Sequence, residues 1–374
     1  MESNKLSAIA VIAVILAAIG LGVGAYSLIS VQTGTVKGDD GDDGEDGPAG
    51  ITTIIFRTEN EYPCSSEAEI NNAIDMIGIG NGKILITGSI TLTSQIDIDG
   101  GGSYIIQGTG LPTIDCGGDR TAFNITNAKS CIIRDLIIDA SDIVQDETET
   151  ILVNETNDNA VYIERVQIIG DLDINGEGID IHSDNVWIDN CYVNQVKFGI
   201  KMSGGNNVHI SGNTMSDCES GITYNWGFPL MGGENVTIEG NIIKDMSAVG
   251  IYLFVAQYNT IANNIILGSW EGIFLVHSNY TTIIGNMIRG TTVNIGNNFS
   301  GIVISDSSHN SICNNAIYDH KFIGPNFGHG ILIFETGAIS LENTIIGNTA
   351  LNNDINFGDY GTNTFGNETL NNFG

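Results

Sequence analysis

The residues able to do chemistry in this chain are few, and only one stretch brings several together. Asp180 has Glu177 and Asp184 as sequence neighbours, and Lys201 falls beside it one repeat later. Glycoside hydrolysis needs two carboxyl groups roughly 5 to 9 Å apart across the bond, and an elimination would use an acidic cluster with a basic partner such as Lys201. Three acids in a polar turn also describe an ordinary solvated turn, so a structural role competes with both. His329 stands between two glycines and is accounted for as a turn residue. A second group is aromatic: Trp226, Phe228, Tyr252, Phe254, Trp270, Phe274, Phe322 and Phe327. These side chains could stack on sugar rings, cover the chain's own apolar surface, or meet another subunit. The soft donors Met202, Met215, Met231, Met246 and Met287 are scattered and read as core fillers, and no cysteine pair has zinc-like spacing.

What positions these groups is a repeat. A Gly-Ile pair opens each copy at Gly178, Gly199, Gly221, Gly250, Gly272, Gly301 and Gly330. Roughly ten residues later comes an anchor, at Ile188, Ile210, Ile238, Ile261, Ile283, Ile312 and Ile345, spaced by 22, 28, 23, 22, 29 and 33 residues. Periods of this size indicate stacked units. Apolar residues alternate around each landmark, as in Ile251/Leu253, so the segments are short strands. Two positions after the anchor only Gly or Asn occurs, the residues that enter left-handed backbone cheaply. Next stand Asn213, Asn241, Asn264, Asn286, Asn315 and Asn348, with Cys191 in the first copy, and stacked carboxamides can hydrogen-bond along the pile.

The expected fold is therefore all-β, a right-handed single-stranded parallel β-helix. In segments such as NVTIEGNII (Asn235 to Ile243) and NTIIGNTAL (Asn343 to Leu351) the chain resembles the pectin-lyase-like β-helix proteins, over residues 65 to 370. Asn175 to Cys191 is similar to the polygalacturonase segment that begins Asn-Thr-Asp, and Gly328-His329-Gly330 matches that family's Gly-His-Gly. The resemblance implies Asp180 and His329 as catalytic candidates. It breaks where a paired Asp-Asp should fall, since Phe198-Gly199-Ile200-Lys201 stands there, and no Arg-Ile-Lys follows His329. Another branch of the resemblance handles copper, which the scattered methionines do not suit.

Upstream rungs carry Leu136 and Val166 where later ones have Asn. Ser66 with Glu69 forms a capping box, and Ile70, Ala73, Ile74 and Ile77 fall on one helical face, a helix suited to closing the end of the core. Lys83 to Ile90, Ile96 to Asp99 and Tyr104 to Gln107 read as the first strands.

The outward column of the Gly-Ile strands runs Asp180, Lys201, Thr223, Tyr252, Phe274, Val303 and Leu332, polar first and apolar later. A bare apolar stripe of that size is unusual on a soluble monomer. Insertions at 225–233, 291–299 and 320–328, a subunit interface, or a bound sugar could each cover it.

Residues 6–31 carry no charge and are long enough to span a bilayer. Lys5 before them and acidic sequence after them put residues 1–5 in the cytoplasm and the bulk outside. A cleaved signal ending near Ala25 is the alternative, and either exports the rod. Residues 32–50 hold Gly every third position from Gly38 to Gly50, a collagen-like Gly-X-Y register that would make a homotrimer, or else a flexible acidic spacer. Residues 51–115 read as the cap and first rungs, and 116–374 as the repeats and C-terminal end.

The formal charge of −31, from 44 acidic and 13 basic residues, argues against nucleic acid as a partner and leaves calcium open. Glycosylation acceptors occur at Asn124, Asn154, Asn235, Asn279, Asn298 and Asn367. Six cysteines permit disulfides in an exported protein, although Cys191 and Cys313 sit at buried repeat positions. The whole reads as a membrane-anchored, extracellular, non-catalytic rod for surface structure, adhesion or glycan binding, with no cofactor. A polysaccharide hydrolase or lyase is the alternative.

Overall fold

The structure, a computed structural model, describes residues 60–145, 148–154, 160–171, 176–224, 233–290, 292–293, 299–322, 327–361, 365–366 and 371–372. The expected cytoplasmic tail, membrane span at 6–31 and spacer at 32–50 lie outside these, as do Trp226, Phe228, Met231, Asn298, Asn367 and the side chain of Phe322. Among the described residues no helix is long and apolar enough to cross a membrane.

Residues Glu61–Gly374 form one compact unit. Its described strands make three long parallel sheets of 13, 11 and 11 strands, with a small two-stranded pair of Thr292–Val293 and Lys321–Phe322. Each complete winding contributes one strand to each sheet. Glu177–Ile181 belongs to the Gly-Ile sheet, Val186–Asp189 to the anchor sheet and Tyr192–Asn194 to a short-strand sheet.

Register follows the repeat. Ile179, Ile200, Ile222, Ile251, Ile273, Ile302 and Ile331 are successive partners, and so are Ile188, Ile210, Ile238, Ile261, Ile283, Ile312 and Ile345. All of them are fully buried. Each such isoleucine removed from water contributes about 1.5–3 kcal/mol, so a register slip in any one rung would be costly.

The turn after the anchor sheet behaves as the Gly/Asn pattern requires. Asn190, Gly212, Gly240, Asn263, Gly285, Asn314 and Gly347 all take positive φ, between 55° and 70°. The next residue supplies the carboxamide ladder. Asn241 N–H donates to Asn264 Oδ1 at 2.9 Å, Asn264 N–H to Asn286 Oδ1 at 2.9 Å, and Asn286 N–H to Asn315 Oδ1 at 2.9 Å. Each Nδ2 donates to the main-chain carbonyl of the anchor isoleucine one rung back, as Asn264 does to Ile238 at 2.9 Å. Buried turn backbone is thereby satisfied without water.

Two further ladders escaped the sequence reading. Asn259, Asn310 and Asn343 accept from the Val236, Thr281 and Asn310 N–H groups, and Ser278, Ser307 and Ser340 do the same at the end of the Gly-Ile strands. A strand at Glu61–Cys64, pairing with Asn81–Ile86, was also missed. The helix Glu67–Ile77 is present, with Ser66 accepting from the Glu69 N–H and with Ile70, Ala73, Ile74 and Ile77 buried. It packs against strands Glu61–Cys64, Asn81–Ile86, Ile96–Ile98 and Ser103–Gly108.

All six cysteines are free, and burial holds the thiols of Cys116, Cys131, Cys191 and Cys218 up at about 12. These are inert core residues.

Candidate functional site

The outer face of the Gly-Ile sheet carries most of the chemistry, because a backbone offset at each Gly turns two positions outward. Glu177 and Asp180 therefore point the same way from strand Glu177–Ile181, and Glu149, registered with Glu177, joins them from the rung below. Carboxylate oxygens of the three lie within 4.8 Å of one another. Glu177 and Asp180 are sealed from solvent, which corrects the reading of this cluster as a solvated turn.

Lys201 resolves the charge. Its Nζ lies 2.9 Å from both Glu177 oxygens and 3.3 Å from Asp180 Oδ2, the place a bound cation would take. His182 Nε2 is 3.1 Å from Asp180 Oδ2, and Ser203 Oγ donates to Asp180 Oδ1 at 3.0 Å. Burial pushes Glu177 up to about 7 against the pull of Lys201, and it raises Glu149 as well. The hydrogen bond to Asp180 raises His182. Burial opposes the charge on Lys201, but Asp180 and Glu177 outweigh it and hold the ammonium above its ordinary value. Sequence reasoning found Asp180, Glu177 and Lys201 but not Glu149, whose strand Glu149–Val153 lacks the Gly-Ile signal.

His329 lies elsewhere. Asp180 reaches its column's Leu332 through Lys201, Thr223, Tyr252, Phe274 and Val303, six ladder steps. At about 4.8 Å per step this is roughly 29 Å. The two catalytic candidates cannot act on one glycosidic bond. Burial lowers the His329 pKa, and its ring nitrogens meet no hydrogen-bond partner among the described residues. It shares a column with Ser300, whose buried hydroxyl likewise has none, and with Glu271, which burial pushes up to about 7.

The later rungs are aromatic. Tyr252 meets Phe274 edge-on at 5.6 Å, and the Phe254 ring lies parallel to that of Tyr252 at 6.4 Å. All three are half-buried, while Val303 and Leu332 further along are buried, so the expected apolar stripe is not bare. Trp270 packs edge-on against Phe299 at 5.6 Å yet stays 40% exposed, and Phe327 is 54% exposed. Among the glycosylation candidates Asn235 is exposed at a positive-φ turn; Asn124, Asn154 and Asn279 are half-buried, and Asn124 Nδ2 is engaged with Asp97 at 2.7 Å.

Three parallel sheets wound in register define the right-handed parallel β-helix class. Within that class the chain belongs to the family described as periplasmic copper-binding protein (NosD), which matches residues 134–372. A search of curated sequences finds no match. Among solved structures the chain is similar to the Dettilon tailspike protein gp208, at 16% identity and a TM-score of 0.57 over 82% of this chain, spanning 63% of the tailspike's length. It is similar to the periplasmic alginate epimerase AlgG at 12% identity and a TM-score of 0.53, covering 82% of this chain and 84% of that one. The Streptococcus pneumoniae surface protein and adhesin PfbA follows at 14% identity and 0.52, covering 80% and 96%. At such identities the likeness is one of fold.

The residues do not fit copper. Copper favours clustered Met, Cys and His. Met202, Met215 and Met246 are separately buried in the core, five of the six cysteines are buried while Cys313, expected to be buried, is only half-buried, and the one described cluster of possible ligands is three carboxylates, two of them paired with Lys201.

Proposed function

We propose that this protein is an exported, non-catalytic saccharide-binding rod acting in surface structure or adhesion. The observation that carries the reading is the division of the Gly-Ile face. Glu177 and Asp180 are closed off around Lys201, and the accessible aromatics Trp270 and Phe327 stand at the starts of strands two rungs apart. Exposed aromatic rings beside buried hydroxyl and imidazole groups suit a ligand with both C–H faces and hydroxyls. Catalysis would need reachable acids, and Asp180 and Glu177 are not reachable.

Anchoring through residues 6–31, with the rod outside the cytoplasm, belongs to this reading, as does helix Glu67–Ile77 closing the first rung's apolar end. The family's periplasmic description agrees with an exported location. A glycan array probed with the full-length protein tests the proposal. Saturable binding weakened at least tenfold by Trp270→Ala with Phe327→Ala is the expected result. Absence of binding to every saccharide, or conversion of one, would overturn it.

A further inference from the structure

At the turn between the anchor and short-strand sheets the early rungs differ from the late ones. From Asn190 onward the positive-φ position holds only Asn or Gly. One and two rungs earlier it holds Arg165 at φ 54° and Asp135 at φ 58°, and the loop below them places Leu111 at φ 56°. Arg165 and Leu111, unlike Gly, Asn or Asp, pay a penalty there of about 1–2 kcal/mol for the close approach of Cβ to the following carbonyl. Strained backbone of this kind collects at ligand-contacting positions.

These residues surround an open cavity of about 530 Å³. Its lower wall is the loop after strand Ser103–Gly108, which needs four residues to reach Thr113–Asp115 where the next rung needs two. Any side chain at Gly108 would collide with the Asp135 carbonyl at 2.1 Å, so the wall there is bare backbone. Gln167 and Tyr192, partners in the short-strand sheet, form the floor, and Asn190 the upper edge. Arg165 is fixed as a plate: Nε donates to Asp135 Oδ1 at 2.7 Å, Nη2 to Asp135 Oδ2 at 3.3 Å and Nη1 to Glu164 Oε2 at 2.6 Å. Tyr162 and Trp187, stacked at 4.8 Å, stand on the outer face of the same strands, three residues before Arg165 and Asn190.

We infer that this cavity is a binding site for an uncharged oligosaccharide. The assignment rests on the saccharide-binding reading and adds a second, separate site. Charge selects the class. Arg134 and Arg165 are matched by Asp135 and Glu164, so the site is neutral and each Arg165 nitrogen already donates to a carboxylate, which disfavours both uronates and cations. Two carboxamides, a phenol and exposed backbone offer donors and acceptors together, as hydroxyl groups require, while Leu111 and the Tyr192 ring face C–H surfaces. The volume lies within the usual range for small-ligand sites.

The test is titration calorimetry of the full-length protein with neutral gluco-, galacto- and manno-oligosaccharides of two to four units, with oligouronates alongside. Asn190→Gly and Arg165→Gly install the residue that positive φ favours, so folding is retained while contacts are lost. A neutral oligosaccharide whose affinity falls at least tenfold in both variants and in Tyr192→Ala, with Trp270→Ala unchanged, is the expected result. Binding abolished by Trp270→Ala but indifferent to the three cavity variants overturns the cavity and spares the wider reading. A preference for uronates overturns the neutral class, and no binding by any ligand overturns both.

Discussion

Earlier and later rungs of the Gly-Ile sheet share one backbone and register yet solve the problem of an outward face differently. Around Asp180 the face is ionic, with two sealed carboxylates held by one ammonium; around Phe274 it is aromatic and half-covered. Buried charge is costly unless paired, whereas apolar contact degrades gradually as area is lost. The early rungs should therefore fail sharply and the late rungs softly.

The largest effect is expected from Lys201→Met, which strands Glu177 and Asp180 without a counter-charge. Loss of one partner of a buried pair costs about 3–5 kcal/mol, measurable by denaturant unfolding. Phe274→Ala, removing a half-buried ring, should cost about 2 kcal/mol in the same assay. A reversed order would show that the charged cluster is not a structural unit.

Acidity offers a subtler probe. Glu177, at about 7, and Glu149 both sit above their unfolded values, so their contribution is complete below about 4.5 and fades as pH rises, for Glu177 through about 7. His182, also raised, contributes below its unfolded value and loses that contribution in the same direction. Asp306 runs oppositely. Burial raises it, but hydrogen bonds from Thr336, Gly337 and Ala338 outweigh this and hold its carboxyl well below the usual range, so stability is lost in strong acid. Thermal unfolding should show a Tm higher at pH 5 than at pH 8, with Glu177→Gln flattening the difference. A Tm that climbs toward pH 8 would contradict the assignment. The smallest effect is expected from copper. Equimolar Cu(II) should leave the Tm within about a degree, since neither region assembles soft ligands; a shift of several degrees, from mass action on a tight site, would locate one.

Much of the winding was legible because few residue types tolerate its demands. Positive φ restricts one column to Gly and Asn, and a full core restricts another to Ile, so both recur visibly at Gly212 and Ile210. The ladder through Asn259 and Asn310 was hidden because Val236 and Thr281 interrupt it. Asp180 could be found from its neighbours, but its burial depends on Lys201 reaching across a rung, a property of packing rather than pattern. Glu149 lay in an acid-rich stretch without a landmark. The cavity beside Arg165 depends on the different lengths of two turns, visible only once the rungs are stacked.

The most direct measurement follows a bound saccharide over time. Full-length protein is held with its highest-affinity oligosaccharide from the array, and the mixture is analysed by mass spectrometry and by ultraviolet absorbance for unsaturated ends. Saturable binding with the saccharide's length and mass unchanged is predicted. Shortened or unsaturated products that disappear with Asp180→Asn would show the sealed carboxylates to be catalytic.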